Sequence, residues 1–209
     1  MSFSAFINRA GLTSSRALLA GVTLLVMAGC ASKTVQPSSY MLPTSPPEQQ
    51  YSSALAVAVA PIRLTGLLDN QGIVMELNDI EVHQARQHLW AEDIGIQLQQ
   101  QLQQRLTLSL PRAQIVAKGQ PLQAGLAKRE VRVSVNGFQG SYNGNAIVQG
   151  QWLLLGESGQ LLKQKNFKVE QPLTADGYPT LVRTLGAAWD QVSEELAAAL
   201  AEDTLGRRQ

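Results

Sequence analysis

The chain has 209 residues, 44% of them hydrophobic, with 17 Lys and Arg against 16 Asp and Glu and a single cysteine. This length and near-neutral charge suit one domain with a real core, and they give no electrostatic reason to expect nucleic acid or a strongly charged partner. A lone cysteine excludes an internal disulfide and a cysteine-built metal site, so stability has to come from packing.

The first element is a leader. Residues 1–29 hold Arg9 and Arg16 and no acidic residue, and residues 17–29 are almost unbrokenly apolar. That run, roughly 13 residues, is shorter than the roughly 20 a spanning helix needs, which predicts a cleaved signal peptide rather than an anchor. Its removal leaves 15 basic against 16 acidic residues, a mature charge of about −1.

Met27-Ala28-Gly29-Cys30, preceded by Leu24-Leu25-Val26, resembles the lipobox of bacterial lipoprotein precursors. There the cysteine thiolate is the nucleophile that takes a diacylglyceryl group, and after cleavage its amine is acylated as well, by palmitate for example. The alternative is a small hydrophobe in a leader. On the lipobox reading Cys30 is the lipid attachment site, and this covalent lipid is the one group the chain is expected to carry, with no cofactor and no metal. At about 0.8 kcal/mol per buried methylene, several acyl chains make the attachment effectively permanent. Ala31 and Ser32 stand where an aspartate would retain such a lipoprotein in the inner membrane. The resemblance therefore implies the inner leaflet of the outer membrane, with the body in the periplasm.

Residues 30–53 contain Pro37, Pro43, Pro46 and Pro47 among Ser, Thr and Gln and read as a flexible, extended tether, in which Tyr40-Met41-Leu42 could dock as a short strand. Residues 54–203 read as the folded domain and 204–209 as a tail. Leu55, Val57 and Val59 alternate with alanines, predicting a strand buried on both faces. Ile73–Leu77 and Val82–Gln87 predict short strands joined by a turn at Asn78-Asp79. From Ala91 the period changes: Ile94, Leu98, Leu102 and Leu106 predict a helix ending near Pro111, with Glu92 and Asp93 at its positive end. Its other face carries Gln97, Gln99, Gln100, Gln101, Gln103, Gln104 and Arg105, either a solvated surface or an interface with a second copy or a partner.

Ile115-Val116-Ala117 predicts a short strand. Glu130–Phe138, Asn145–Leu155 and Gln160–Glu170 predict three longer ones joined by hairpins, the second through Gly156-Glu157-Ser158-Gly159. Val131, Val133 and Val135 alternate with Arg132, Ser134 and Asn136, one buried face and one wet. Leu181, Leu185, Ala188, Trp189, Val192, Leu196 and Leu200 keep helical spacing, with Pro179 in the first turn and Asp176 as cap. The fold class expected is a single α/β (α+β) domain: a mixed sheet with an antiparallel meander in its second half, packed by two main helices.

No reactive constellation emerges. His83 and His88 share a face of neither an ideal strand nor a helix, which argues against a metal site even with Glu81 and Glu92 nearby. No serine sits in a Gly-x-Ser-x-Gly elbow. The glycine-rich run Gly137–Gly144 joins two strands and opens no helix that could hold a phosphate. The acid pairs Glu194-Glu195 and Glu202-Asp203 read as a solvated helix face. The chain is therefore not expected to be an enzyme; a lipid-anchored hydrolase would need a cluster the sequence does not present.

Several segments together do point to a family. Tyr40-Met41-Leu42, the strand from Leu55 to Pro61, Leu67-Leu68-Asp69, Gly72-Ile73-Val74, His88-Leu89-Trp90-Ala91-Glu92 and Gly150-Gln151-Trp152, in this order behind a lipobox, resemble the ABC-type transport auxiliary lipoproteins, including the branch of the paraquat-inducible intermembrane transport systems. The resemblance covers most of residues 40–200. It implies a noncatalytic outer-membrane lipoprotein that meets an MCE-type periplasm-spanning protein, whose hydrophobic tunnel carries lipids, and that assembles as a homo-oligomer at the tunnel's end. It also implies that Trp90 fixes the helix entrance in the core. An accessory role in another envelope assembly or export machine is the alternative.

Overall fold

The computed structural model describes residues 36–205. The leader over 1–29, Cys30 and residues 206–209 lie outside the described residues. In chain order the elements are β1 (Ser38–Tyr40), β2 (Leu55–Val59), β3 (Arg63–Leu64), β4 (Gly72–Glu76), β5 (Val82–Trp90), α1 (Ile94–Ser109), β6 (Gln114–Ala117), β7 (Ala127–Gly140), β8 (Asn145–Leu155), β9 (Leu161–Pro172) and α2 (Tyr178–Leu205). They form the single domain expected, a mixed sheet packed by two helices.

β7 is the spine of the sheet. Along one edge it takes β2, β3 and β4 in succession as parallel partners; along the other it pairs antiparallel with β8, which pairs with β9. β6 extends the sheet beyond β2, and β5 then β1 extend it beyond β4. One long strand can serve three short ones because the chain leaves and re-enters the sheet at Pro61 and again at Thr65–Gln71, where proline and turn residues interrupt the ladder.

The period-two pattern decides which face is dry. Val131, Val133 and Val135 of β7 stand opposite Leu154, Trp152 and Gly150 of β8, and all are buried. A register shift between Val135 and Gly137 changes the phase, so that Phe138 also points into the core. Phe167 of β9 lies opposite Gly150, where an added Cβ would come 2.7 Å from the ring and 2.1 Å from the Ser134 carbonyl oxygen. β2 is buried at all five positions, as a central strand should be.

Both helices lie on this dry face. α1 buries Ile94, Leu98, Leu102 and Leu106. The Asp93 side chain caps it by accepting from Ile96 N–H at 3.0 Å, and Pro111 follows its last turn. α2 buries Leu181, Leu185, Ala188, Trp189, Val192, Leu196 and Leu200, and the Trp189 indole N–H donates to the Leu98 carbonyl at 3.1 Å, tying the two helices together. Trp90 is buried beside Phe138, with ring centroids 5.9 Å apart, and so fixes the entrance to α1 from within the core.

The structure departs from the sequence reading at three places. Asp176 is not the cap of α2: the helix starts at Tyr178, and Gly177, at φ +104°, precedes it with its carbonyl taking the Leu181 N–H. The acid pairs on α2 are not merely solvated. Glu194 pairs with Arg105, Glu195 with Lys165, Glu202 with Lys163 and Asp203 with Arg129, because β7 and β9 and the neighbouring helix bring cations to them. Finally, a short strand does form where Tyr40-Met41-Leu42 is expected to dock, as β1, but the residues after it are not a free tether: Leu42, Ser45, Pro46, Glu48 and Tyr51 are hydrogen-bonded to the domain.

Candidate functional site

The segment after β1 lies in the groove between the two helices, and three side chains of α1 hold it. Gln97, Gln101 and Arg105 are spaced four residues apart, so they line one face of the helix one turn above another. The Gln97 side-chain oxygen accepts from Leu42 N–H at 2.9 Å, and the Gln101 amide donates to the Leu42 carbonyl at 2.7 Å. These two bonds satisfy both backbone groups of Leu42, whose side chain is buried in the core. The chain then passes Gly186 of α2, where an added Cβ would stand 2.9 Å from the Pro43 ring.

Arg105 closes the groove. Its side chain is 3% exposed and donates to the Pro46 carbonyl at 3.0 Å, to the Ser45 hydroxyl at 2.9 Å and to Glu194 at 2.7 Å, and it also pairs with Asp190. Ser45 in turn donates to Asp190 at 2.6 Å, and Glu48 N–H donates to Glu194 at 3.0 Å. A guanidinium is suited to this position because its planar fork can serve two carboxylates and two chain oxygens at once. Further on, Tyr51 N–H donates to the Ser109 carbonyl at 2.7 Å, leading the chain into β2.

β1 is pinned separately. It pairs with the outer edge of β5, and its Tyr40 hydroxyl bonds His88 Nδ1 at 2.9 Å, while the His88 ring stacks on Tyr178 at 4.0 Å. Burial and the adjacent Tyr40 hold the Tyr178 phenol above its usual value of 10. His88 is thus a packing group that joins β1, β5 and α2. His83 lies exposed on β5, and among the described residues no three His, Cys, Asp or Glu side chains are placed to hold a metal ion. The glycine-rich run of residues 137–144 forms a hairpin, with Ser141 N–H bonded to the Asn145 carbonyl and Gly144 at φ +78°.

The groove was only partly visible in the sequence. Gln97, Gln101 and Arg105 fall among a polar helix face, and the signal that separates them is the four-residue spacing shared with Gly186, Asp190 and Glu194 on α2. What this arrangement can do is mechanical: it fixes the chain that leads back toward Cys30 to both helices of the core. Among the described residues no helix is long and apolar enough to cross a membrane.

The fold defines a single mixed domain whose N-terminal strap is locked between two helices, and residues 40–197 match the family of ABC-type transport auxiliary lipoprotein components. The chain belongs to that family. It is 32% identical over 182 residues to the intermembrane transport lipoprotein PqiC of Escherichia coli K12, a match covering 86% of this chain and 94% of that protein, and the Shigella flexneri PqiC matches equally. A crystal structure of an uncharacterised protein, 30% identical, superposes with a TM-score of 0.68 over 79% of this chain and 99% of its own. A Xanthomonas campestris protein at 16% identity shares the fold, with a TM-score of 0.69 over 82% of this chain and all of its own.

Proposed function

We propose that this chain is a noncatalytic, lipid-anchored component of an intermembrane lipid-transport machine. Cys30 carries the lipid in the inner leaflet of the outer membrane, the domain from Ser38 onward lies in the periplasm, and copies of it form a homo-oligomer that docks an MCE-type periplasm-spanning protein. The observation that carries the reading is the 32% identity to the PqiC lipoproteins along 86% of the chain. The groove supports it physically. A tunnel delivering lipid has to be held against the receiving bilayer, and a permanent acyl anchor joined to a strap clamped by two helices transmits that restraint to the core without any chemistry.

Two experiments test this. Crosslinking the intact protein in its native envelope is expected to recover an MCE-type protein, together with multimers of the chain itself; recovery of a different envelope complex instead overturns the docking assignment. Cys30→Ser is expected to leave an unlipidated precursor. A mature, membrane-bound product from that variant rules out Cys30 as the attachment site.

A further inference from the structure

We infer that the tips of two adjacent hairpins, the β4–β5 turn around Ile80 and the β7–β8 turn at Tyr142, form a surface that rests on a zwitterionic lipid bilayer beside the anchor. The inference rests on the reading of Cys30 as the lipid attachment site. Ile80 is 90% exposed, and Leu77, Val82 and Tyr142 are 48%, 45% and 53% exposed. The turn itself does not need them: Asn78 Oδ1 accepts from both Ile80 and Glu81 N–H, and Leu77 N–H donates to the Glu81 carbonyl. Scattered surface hydrophobes need no explanation, but grouped ones mark a contact. Here β4 runs parallel to the end of β7, with Met75 opposite Gly140, which sets the two tips side by side around a cleft of about 370 Å³ lined by Ile80, Val82 and Tyr142.

The direction of β1 says what covers this surface. β1 runs parallel to β5 with Ser38 opposite His88, so its N-terminal end faces the Val82 end of β5, the end that carries the tips. From His88 to Val82 the strand descends about 20 Å at 3.3 Å per residue. Eight peptide steps separate Cys30 from Ser38, a reach of at most about 28 Å. A lipid on Cys30 can therefore enter a bilayer that touches Ile80. The cleft is lined by the carboxylates of Glu76, Asp79, Glu81 and Glu170, and the one cation lining it among the described residues, Lys168, is paired with Glu170 at 2.5 Å. Such a rim is repelled by anionic headgroups, which commits the occupant to a zwitterionic surface.

With Cys30 acylated, an engineered cysteine is the only free thiol in the full-length protein. Ile80→Cys, Tyr142→Cys and, at the opposite end of β8, Ser158→Cys would each carry an environment-sensitive fluorophore in the lipidated chain, bound to phosphatidylethanolamine–phosphatidylcholine vesicles with nitroxide-labelled headgroups. The expected result is quenching at 80 and 142 several-fold above that at 158, reduced when phosphatidylglycerol replaces the zwitterionic lipid. Equal quenching at all three sites on vesicle-bound protein, or protection of residue 80 only when a partner protein is added, overturns the membrane contact while leaving the anchor intact. A chain whose mass lacks acyl groups and which does not float with vesicles removes the anchor, and this proposal with it. Ile80→Asp, at a side chain 90% exposed and so expected to leave the melting temperature unchanged, supplies a folded variant in which headgroup quenching of a probe at 142 should fall.

Discussion

Arg105 shows how a single residue can decide whether a polar helix face is wet or buried. Its guanidinium neutralises Asp190 and Glu194 and satisfies two oxygens of the strap, so its desolvation is offset only while all four partners are present. Arg105→Ala leaves two neighbouring carboxylates unpaired and should lower stability by about 3 kcal/mol, read as a shift in urea midpoint. Adding Asp190→Asn and Glu194→Gln to that variant should recover much of the loss, which a double-mutant cycle measures. Glu130 gives a pH-dependent counterpart. Partial burial pulls its carboxyl upward, but hydrogen bonds from Arg132 and Lys118 pull it further down, below the ordinary value of 4.5. A carboxyl whose folded pKa is depressed stabilises the fold above 4.5 and loses that contribution as pH falls through its folded value. Glu130→Gln should therefore flatten part of the acid-side fall in melting temperature below pH 4.5 and leave the slope near neutrality unchanged.

At the scale of elements, α2 carries two stripes with different tasks. Its apolar stripe packs on the sheet, and Val192, at 3% exposure, lies in the middle of it. Val192→Asp buries an unpaired charge and should cost about 4 kcal/mol or more, enough to unfold much of a marginally stable domain; an unchanged melting temperature would mean the stripe is not the core. Its second stripe, Gly186, Asp190 and Glu194, belongs to the strap groove. Gly186→Leu should leave helix content by circular dichroism nearly unchanged, because leucine favours helices, yet it drives a side chain into Pro43. The expected result is faster proteolysis within residues 43–53 without global unfolding, a separation that tests whether the strap is an independent, locally releasable unit.

For the whole molecule, the legible part was what repeats along the chain. Alternation located β7 and a period of 3.6 residues located both helices to within a few positions, because each buries one face and the pattern follows directly from that. The three strands lined up on one edge of β7, and the parallel placement of β1 beside β5, had no such local mark. They depend on which edges remain free once the long strands have paired. The family resemblance came from the order of several weak segments, while the single mixed domain that the structure shows was the fold expected from the residue patterns.

The sequence by itself determined the amphipathic elements and the single mixed domain, since each follows from local composition and period. Only the tertiary structure decided that the proline-rich stretch is clamped from Ser38 onward. Proline and serine speak for extension in isolation, but burying Leu42 requires partners for its backbone, and those partners, Gln97 and Gln101, are 55 and 59 residues away in the chain. The four-residue spacing of Gln97, Gln101 and Arg105 marks a helix stripe, but nothing local to it singles out Leu42 as the partner until the two helices pack.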